Sequence, residues 1–368
     1  MKYKFEDIIF NITEKKKPVE EDKFNYIGLE HLESGNLFIS KWGSDTAPEG
    51  EKIVMKKGDV LFGKRRAYQK KVAISPIDGI FSAHGMVLRP KEDVICKEFL
   101  PFFISSEAFL NEAIRISVGG LSPTVNWKDI KELEFDLPSL AEQKVLAEKL
   151  WAAYEVKQSY LKMISATEEM VKAQFVEMFG SYEKRVKIGD HCSVSSGKSI
   201  PTKLEDIKGN IAYVKVADFN LSGNENYIYN SQRYVAEESA KYSKMIPAGS
   251  VIFAKNGAAS LSNKKRLTKI DCCIDMNTLA VKSISNDLRD EFLFAVLQSL
   301  DISEYVRQGA IPSISPKSIE NCQIPYPTLE EQDKYISIAE QSDKSISELR
   351  KSVDAIDKVI KSLINENL

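Results

Sequence analysis

Gly120 to Gln143 reads GLSPTVNWKDIKELEFDLPSLAEQ, and Gly309 to Gln332 reads GAIPSISPKSIENCQIPYPTLEEQ. Aligned without a gap at an offset of 189 residues, Gly120/Gly309, Pro123/Pro312, Lys128/Lys317, Ile130/Ile319, Pro138/Pro327, Leu140/Leu329, Glu142/Glu331 and Gln143/Gln332 are identical. Self-similarity at a long fixed period means one structural unit used twice. Here the unit is half the chain, so the fold is a duplication.

Each copy leads into a helix with the same start signal. Ser139-Leu-Ala-Glu142 and Thr328-Leu-Glu-Glu331 are capping boxes, in which a hydroxyl and a carboxylate satisfy backbone amides at the helix start. Pro138 and Pro327 precede them, where a missing N–H costs the helix nothing. After the second cap, Ile346, Leu349, Val353, Ile356, Ile360 and Leu363 alternate spacings of three and four, an a/d seam. Leu150, Leu161, Ile164, Val171, Phe175 and Met178 give the first helix a less regular stripe, and Gly180 supplies its stop. Such a stripe can pack on its own domain. Two helices of about 40 residues, roughly 60 Å if straight, with matching caps, point instead to pairing with each other.

Composition excludes several classes. The 368 residues are 43% apolar and 28% charged, which describes a core-forming chain of two globular halves plus helices. No apolar run approaches the ~20 residues of a membrane span, and MKYKFEDIIF lacks a signal peptide's apolar region, so a cytoplasmic location is expected. Five cysteines, with no C-x-x-C and only three histidines, argue against a disulfide framework or a metal site. Net charge is −2, and segments 139–180 and 328–368 together hold 11 basic and 15 acidic residues. Nucleic-acid contact must therefore come from local clusters.

The first half mixes short β-type runs (Asn25 to Ile27, Asp59 to Phe62, Val72 to Ile74, Met86 to Leu88) with one helical segment, Lys97 to Arg115, which reads as α+β. The second half echoes it: Lys187-Ile-Gly-Asp190 follows Lys4-Phe-Glu-Asp7, Tyr213-Val follows Tyr26-Ile, and Gly249-Ser-Val-Ile-Phe-Ala-Lys255 follows Gly58-Asp-Val-Leu-Phe-Gly-Lys64. The offset drifts, so the halves share a scaffold while their loops differ. The loops after the matched strands are the most basic places in the chain: Lys64, Arg65, Arg66, Tyr68, Gln69, Lys70 and Lys71 in one, and Lys255, Asn256, Asn263, Lys264, Lys265 and Arg266 in the other. Cations hold phosphates while amides and guanidinium forks read base edges. A solvated charged loop is the alternative, and recurrence in both repeats weighs towards DNA.

Catalytic signatures are missing. The chain has no G-x-x-x-x-G-K-[ST], no G-x-G-x-x-G and no Asp/Asn-Pro-Pro-Tyr/Phe. Glu14-Lys-Lys16 and Glu21-Asp-Lys23 fit the loose E-x-K of nucleases only as charged segments do by chance. His31, His84 and His191 form no triad or metal set, and His84 is the best placed of them to bind.

Together, Leu137-Pro-Ser-Leu-Ala-Glu-Gln143, Pro325-Tyr-Pro-Thr-Leu-Glu-Glu-Gln332, the Gly-x-x-Pro segments before them and Gly63-Lys-Arg-Arg-Ala-Tyr-Gln-Lys-Lys-Val72 resemble the specificity subunit of Type I restriction-modification systems, over essentially the whole chain. The resemblance implies two target-recognition domains, 1–138 and 181–327, and two helical spacers, 139–180 and 328–368, paired as an antiparallel coiled coil with pseudo-two-fold symmetry. It implies an adaptor rather than an enzyme, with no catalytic residue, metal or cofactor of its own. Each domain would read half of a split double-stranded DNA site, the half-sites lying about one helical turn, ~10 bp, apart. Two methyltransferase subunits would bring S-adenosylmethionine, and restriction subunits would bring ATP and Mg²⁺ chemistry. Phosphate holding would fall to the basic residues of both loops, and base reading to Tyr68, Gln69, His84, Asn256 and Asn263. The chain is on the short side for the family, which implies trimmed recognition domains. An S-like subunit of a Type II system with fused cutting and methylating activities, or a coiled-coil scaffold that never touches DNA, would use the same architecture.

Overall fold

The computed structural model describes residues 1–205, 209–307 and 309–368, and it divides into two compact units. Unit 1 is Met1–Lys162 with Leu349–Leu368, and unit 2 is Met163–Glu348. Each of the two long helices, Leu140–Phe179 and Leu329–Asn365, contributes a segment to each unit.

In unit 1 the central sheet runs in the order Ile9–Ile12, Met86–Pro90, Val60–Phe62, Val72–Ile74, all antiparallel. Its strands alternate faces as a two-residue period requires. Val60 and Phe62 enter the core shared with Phe99, Phe103 and Phe109, while Leu61 enters a second core with Ile27, Ile53 and Phe81. The second core is closed by a sheet ordered Lys15–Lys16, Lys52–Met55, Gly79–Phe81, Tyr26–Ile27, in which the last pair is parallel. Both faces of Val60–Phe62 are therefore buried, which is why this run is apolar throughout.

Unit 2 repeats the plan. Cys192–Ser196, Thr278–Ser283, Val251–Ala254 and Lys265–Thr268 lie in the same order, with Tyr227–Ile228 added at the edge. Val251 and Phe253 face one core and Ile252 the other. Ile211–Val214 runs parallel to Cys272–Ile274, as Tyr26–Ile27 does to Gly79–Phe81. The echo of Lys4-Phe-Glu-Asp7 in Lys187-Ile-Gly-Asp190 is structural as well. Lys2–Lys4 pairs with Glu134–Asp136, and Arg185–Lys187 pairs with Gln323–Pro325. Each unit thereby ties its first strand to the strand that enters a long helix.

The capping boxes form. Glu142 accepts from the Ser139 amide at 2.9 Å, and Glu331 accepts from the Thr328 amide at 2.9 Å. Within unit 1, Leu146 and Leu150 share a core with Ile364, and Lys157 pairs with Asp357 at 2.7 Å. Within unit 2, Phe175 lies 5.4 Å from Tyr335, and Tyr182 donates to Glu331 at 2.7 Å. In both units later residues of one helix meet earlier residues of the other, so the segments pair antiparallel.

Two local expectations are corrected. The helix expected over Lys97 to Arg115 is two helices, Leu100–Ser105 and Glu107–Arg115, because the Ser106 hydroxyl caps the second by accepting from the Phe109 amide at 3.1 Å. Leu161 is 38% exposed and takes no part in the core, whereas Leu146, Ala147 and Tyr154 do. Gly180 ends its helix without a left-handed turn, its amide bonding to the Val176 carbonyl at 2.8 Å, where a Cβ would meet that oxygen. All five cysteines are free and buried, as small apolar fillers. No helix among the described residues is long and apolar enough to cross a membrane.

Candidate nucleic-acid interface

The strand Val60–Phe62 delivers the chain to Gly63, whose amide bonds to the Lys71 carbonyl at 2.9 Å and closes the basic loop at its base. The far side is braced by the doubled sequence. Val125 donates to the Lys64 carbonyl at 3.0 Å and Arg66 donates to the Pro123 carbonyl at 2.6 Å. In unit 2, Ile314 donates to the Lys255 carbonyl at 2.9 Å and Gly257 to the Pro312 carbonyl at 2.8 Å. The Gly-x-x-Pro segments therefore brace both basic loops through the same pair of backbone contacts.

Each loop includes a 3-10 turn, Ala67–Gln69 or Ala258–Ser262, closed by a left-handed residue, Lys70 (φ 51) or Asn263 (φ 54). Arg66 also takes a left-handed conformation, φ 56, where unit 2 has Gly257 at φ 71. A non-glycine residue held there marks a backbone shaped by its surroundings.

Arg89 binds Asp59 and Arg115 binds Glu112, whereas Lys64, Arg65, Arg66, Lys70 and Lys71 make no ion pair with a carboxylate among the described residues. Arg65 extends a guanidinium N–H to His84 Nε2 at 3.3 Å, and Arg66 donates through Nε to the Ser122 hydroxyl at 3.2 Å. A guanidinium has only donors, so His84 accepts through a neutral ring nitrogen. Burial first, then the charges of Arg65, Lys64 and Lys52, hold the His84 imidazole below its ordinary pKa. Burial first, then Lys15, likewise lowers the Lys64 ammonium. Lys64 and Arg65, which have no carboxylate partner among the described residues, stand beside the neutral His84 ring and make this patch a site suited to anions.

The remaining unit 1 candidates divide. Tyr68 is exposed and Gln69 half-buried on the 3-10 turn. Lys71 is engaged with the Leu29 carbonyl at 2.7 Å. Lys70 lines a cleft of about 300 Å³ together with Tyr154, Lys157 and Asp357.

In unit 2, Lys255 and Asn256 are half-buried, and the Asn256 amide reaches Asn277 Oδ1 at 3.3 Å. Lys264 is exposed and donates to Asn220 Oδ1 at 2.6 Å. Lys265 and Arg266 lie inside the strand Lys265–Thr268 rather than in a loop, and are 3% and 9% exposed. The Lys265 ammonium donates to Asn263 Oδ1 and to the Leu300 carbonyl, both at 2.6 Å. Arg266 donates to the Phe219 carbonyl at 2.9 Å. In the free chain Asn263, Lys265 and Arg266 hold the loop together, and Lys255, Asn256 and Lys264 present its accessible polar groups.

No three His, Cys, Asp or Glu side chains among the described residues could hold a metal ion together. His31 accepts from the Gly28 amide at 2.9 Å, and His191 rests 4.4 Å from the Tyr326 ring. The E-x-K tripeptides end in ordinary ion pairs, Lys16 with Asp22 and Lys23 with Glu20, both 2.7 Å.

Sequence reading missed what the repeated glutamine does. Gln143, 1% exposed, accepts from the Cys96 amide at 2.8 Å and donates to the Val94 and Pro138 carbonyls at 3.0 Å. Gln332, fully buried, accepts from the Arg289 amide at 2.9 Å and donates to the carbonyls of Asp287 at 2.8 Å and Pro327 at 3.0 Å. The identity at this position was the available signal.

A family model described as the Type I restriction modification DNA specificity domain matches residues 2–160 and 182–356. The chain is 24% identical, over 94% of its length and 87% of the relative's, to a putative type I restriction enzyme MjaX specificity subunit of Methanocaldococcus jannaschii. It is 25% identical, over 82% of its length and 69% of the relative's, to the type I restriction enzyme StySPI specificity subunit of Salmonella potsdam. Among solved structures, it resembles a Type-I restriction-modification S subunit from M. genitalium with a TM-score of 0.57, at 15% identity and over 99% and 94% of the two chains. A chain from a study of type I R-M complex assembly gives the same TM-score at 19% identity, over 100% and 97%. At such identities the solved structures speak to the fold alone.

Proposed function

The chain belongs to the family of Type I restriction-modification DNA specificity domains, and from that premise we propose that its two units read the two halves of a split duplex site through the paired basic loops. It is the DNA-recognition subunit of a restriction-modification complex and carries no catalysis of its own. The observation that carries the division of labour is the repeated bracing. Pro123 and Pro312, from the doubled stretch, bond through their carbonyls to the backbones of the first and second basic loops. One scaffold thus presents two unlike sets of side chains, as reading two different half-sites requires.

In this reading the recognition domains are residues 1–138 and 181–327, and the helical spacers 139–180 and 328–368. Lys64, Arg66 and Lys264 hold phosphates, with Lys70 and Lys71 supporting the same backbone. Arg65, aligned by His84, has the fork to take a guanine through O6 and N7, and Asn256 has the planar amide suited to adenine. Tyr68 and Gln69 supply further contacts from the exposed turn. The complex includes two methyltransferase subunits that bring S-adenosylmethionine, and restriction subunits that bring ATP and Mg²⁺. The helices, acidic on balance, suit protein contacts better than phosphates.

The test is binding by the assembled complex. A Lys64/Arg65/Arg66→Ala variant, bound to methyltransferase subunits, should lose affinity for duplex DNA and flatten the slope of log K against log salt by roughly 2 to 3. Equal binding and equal slope in wild type and variant would remove this surface from the interface.

A further inference from the structure

The turns that brace the basic loops each carry an exposed aliphatic side chain, and nothing assigned so far uses it. In unit 1, Val118 and Thr124 exchange backbone hydrogen bonds at 3.0 and 2.9 Å, and Gly119 adopts φ +121, so residues 118–124 close into a tight loop. At its tip Leu121 is 96% exposed. In unit 2, Val306–Arg307 pairs with Ser313–Ile314, and Ile311, two residues before Ser313, is 69% exposed. Single exposed apolar residues are common and mean little alone. Here the feature recurs in both copies of a duplicated fold, although the two residues are not at strictly aligned positions. The same type of side chain is displayed where the same backbone brace is made.

The neighbours indicate what each tip meets. Ser122, next to Leu121, takes a hydrogen bond from Arg66 at 3.2 Å, and Pro123 takes the Arg66 amide. Pro312, next to Ile311, takes the Gly257 amide beside Asn256. A protein-docking surface is depleted of charge at its centre and spreads its apolar area. An aliphatic tip beside Arg66 in unit 1, and one beside the Lys255–Gly257 backbone in unit 2, have the composition of a duplex-distorting element, in which the basic loop holds the backbone while an apolar side chain enters between bases.

We infer that Leu121 and Ile311 are wedges that insert into duplex DNA beside the phosphates held by the basic loops, each unstacking one base step in its own half-site. The inference rests on the DNA-reading function proposed above. It adds that part of the specificity comes from how readily a sequence unstacks, at positions that make no hydrogen bond to the protein.

The experiment uses the full chain assembled with its methyltransferase subunits, on a duplex carrying the split motif found by mapping methylated bases in the source genome. Permanganate oxidation of thymines across the duplex reports unstacking. Wild type should give enhanced reactivity in both half-sites. Leu121→Ser should lose it in the half bound by unit 1 and Ile311→Ser in the other, while Leu121→Met retains it. Both positions are solvent-exposed, so an unchanged thermal midpoint confirms folding. An identical oxidation pattern for wild type and both serine variants, with binding intact, would overturn the wedge. So would a serine variant that fails to assemble with methyltransferase, which would make the tip a protein contact. Failure of the wild-type complex to bind the duplex at all would instead overturn the DNA-reading function, and the wedge with it.

Discussion

Replacing Gln143 with alanine takes away one acceptor and two donated bonds at a site only 1% exposed to solvent. The buried Cys96 amide and the partly buried Val94 and Pro138 carbonyls are left without their partner beneath the start of the first long helix. At about 1 kcal/mol for each lost bond, and more for the orphaned amide, unit 1 should lose about 3 kcal/mol. For a unit of this size that lowers the melting midpoint by about 6–12 °C. Urea unfolding gives the free energy, and hydrogen exchange gives the location, because the Cys96 amide should lose protection before the rest of the core. Lys144→Ala, one residue on and exposed, should stay within about 0.5 kcal/mol of wild type. Gln332→Ala should reproduce the loss in unit 2 through the Arg289 amide. A cost below about 1 kcal/mol for Gln143→Ala, with Cys96 still protected, would refute the idea that this glutamine pins the helix to its domain.

Ser139→Ala and Thr328→Ala each remove the hydroxyl of a formed capping box and should cost about 1 kcal/mol by thermal unfolding, additively because the two caps lie in separate units. Lys265 gives a pH signature: burial lowers its pKa from the usual 10.5 to about 8. Between those values the unfolded chain binds more protons than the folded one, so this group makes stability rise with pH across that window. Subtracting the profile of Lys265→Met from that of wild type should leave a positive slope there, and a flat difference would contradict the assignment. Lys64→Ala should weaken binding of the assembled complex to all duplexes alike and reduce its salt slope by about 1, read from titrations at several salt concentrations.

The parts of the fold that depend on neighbours in sequence were readable in advance. The capping boxes join residues three apart, and the Gly-x-Val strands declare themselves by an apolar run with the same continuation in both halves. Ser106 was readable too, since a serine followed by a glutamate is a helix-start signal, but the apolar run around it masked the break. What stayed hidden depends on partners far along the chain. Gln143 meets Val94 and Cys96, and nothing local announces that. Lys265 and Arg266 look like loop cations because they follow Asn263 and Lys264. Their burial follows from the pairing of Lys265–Thr268 with Val251–Ala254, which draws them into the sheet. Composition counts a buried lysine and a free one alike, so the second basic loop looked as basic as the first although Lys265 and Arg266 are buried.

The measurement that bears most directly on two independent readers is the methylated motif produced in cells that carry the partner subunits and either wild type, Arg65→Ala or Asn256→Ala. Arg65→Ala should relax bases in one half of the split motif by roughly 1–3 kcal/mol of discrimination and leave the other half intact, and Asn256→Ala should do the converse. Relaxation of both halves by either single substitution, or of neither half by both, would contradict the account.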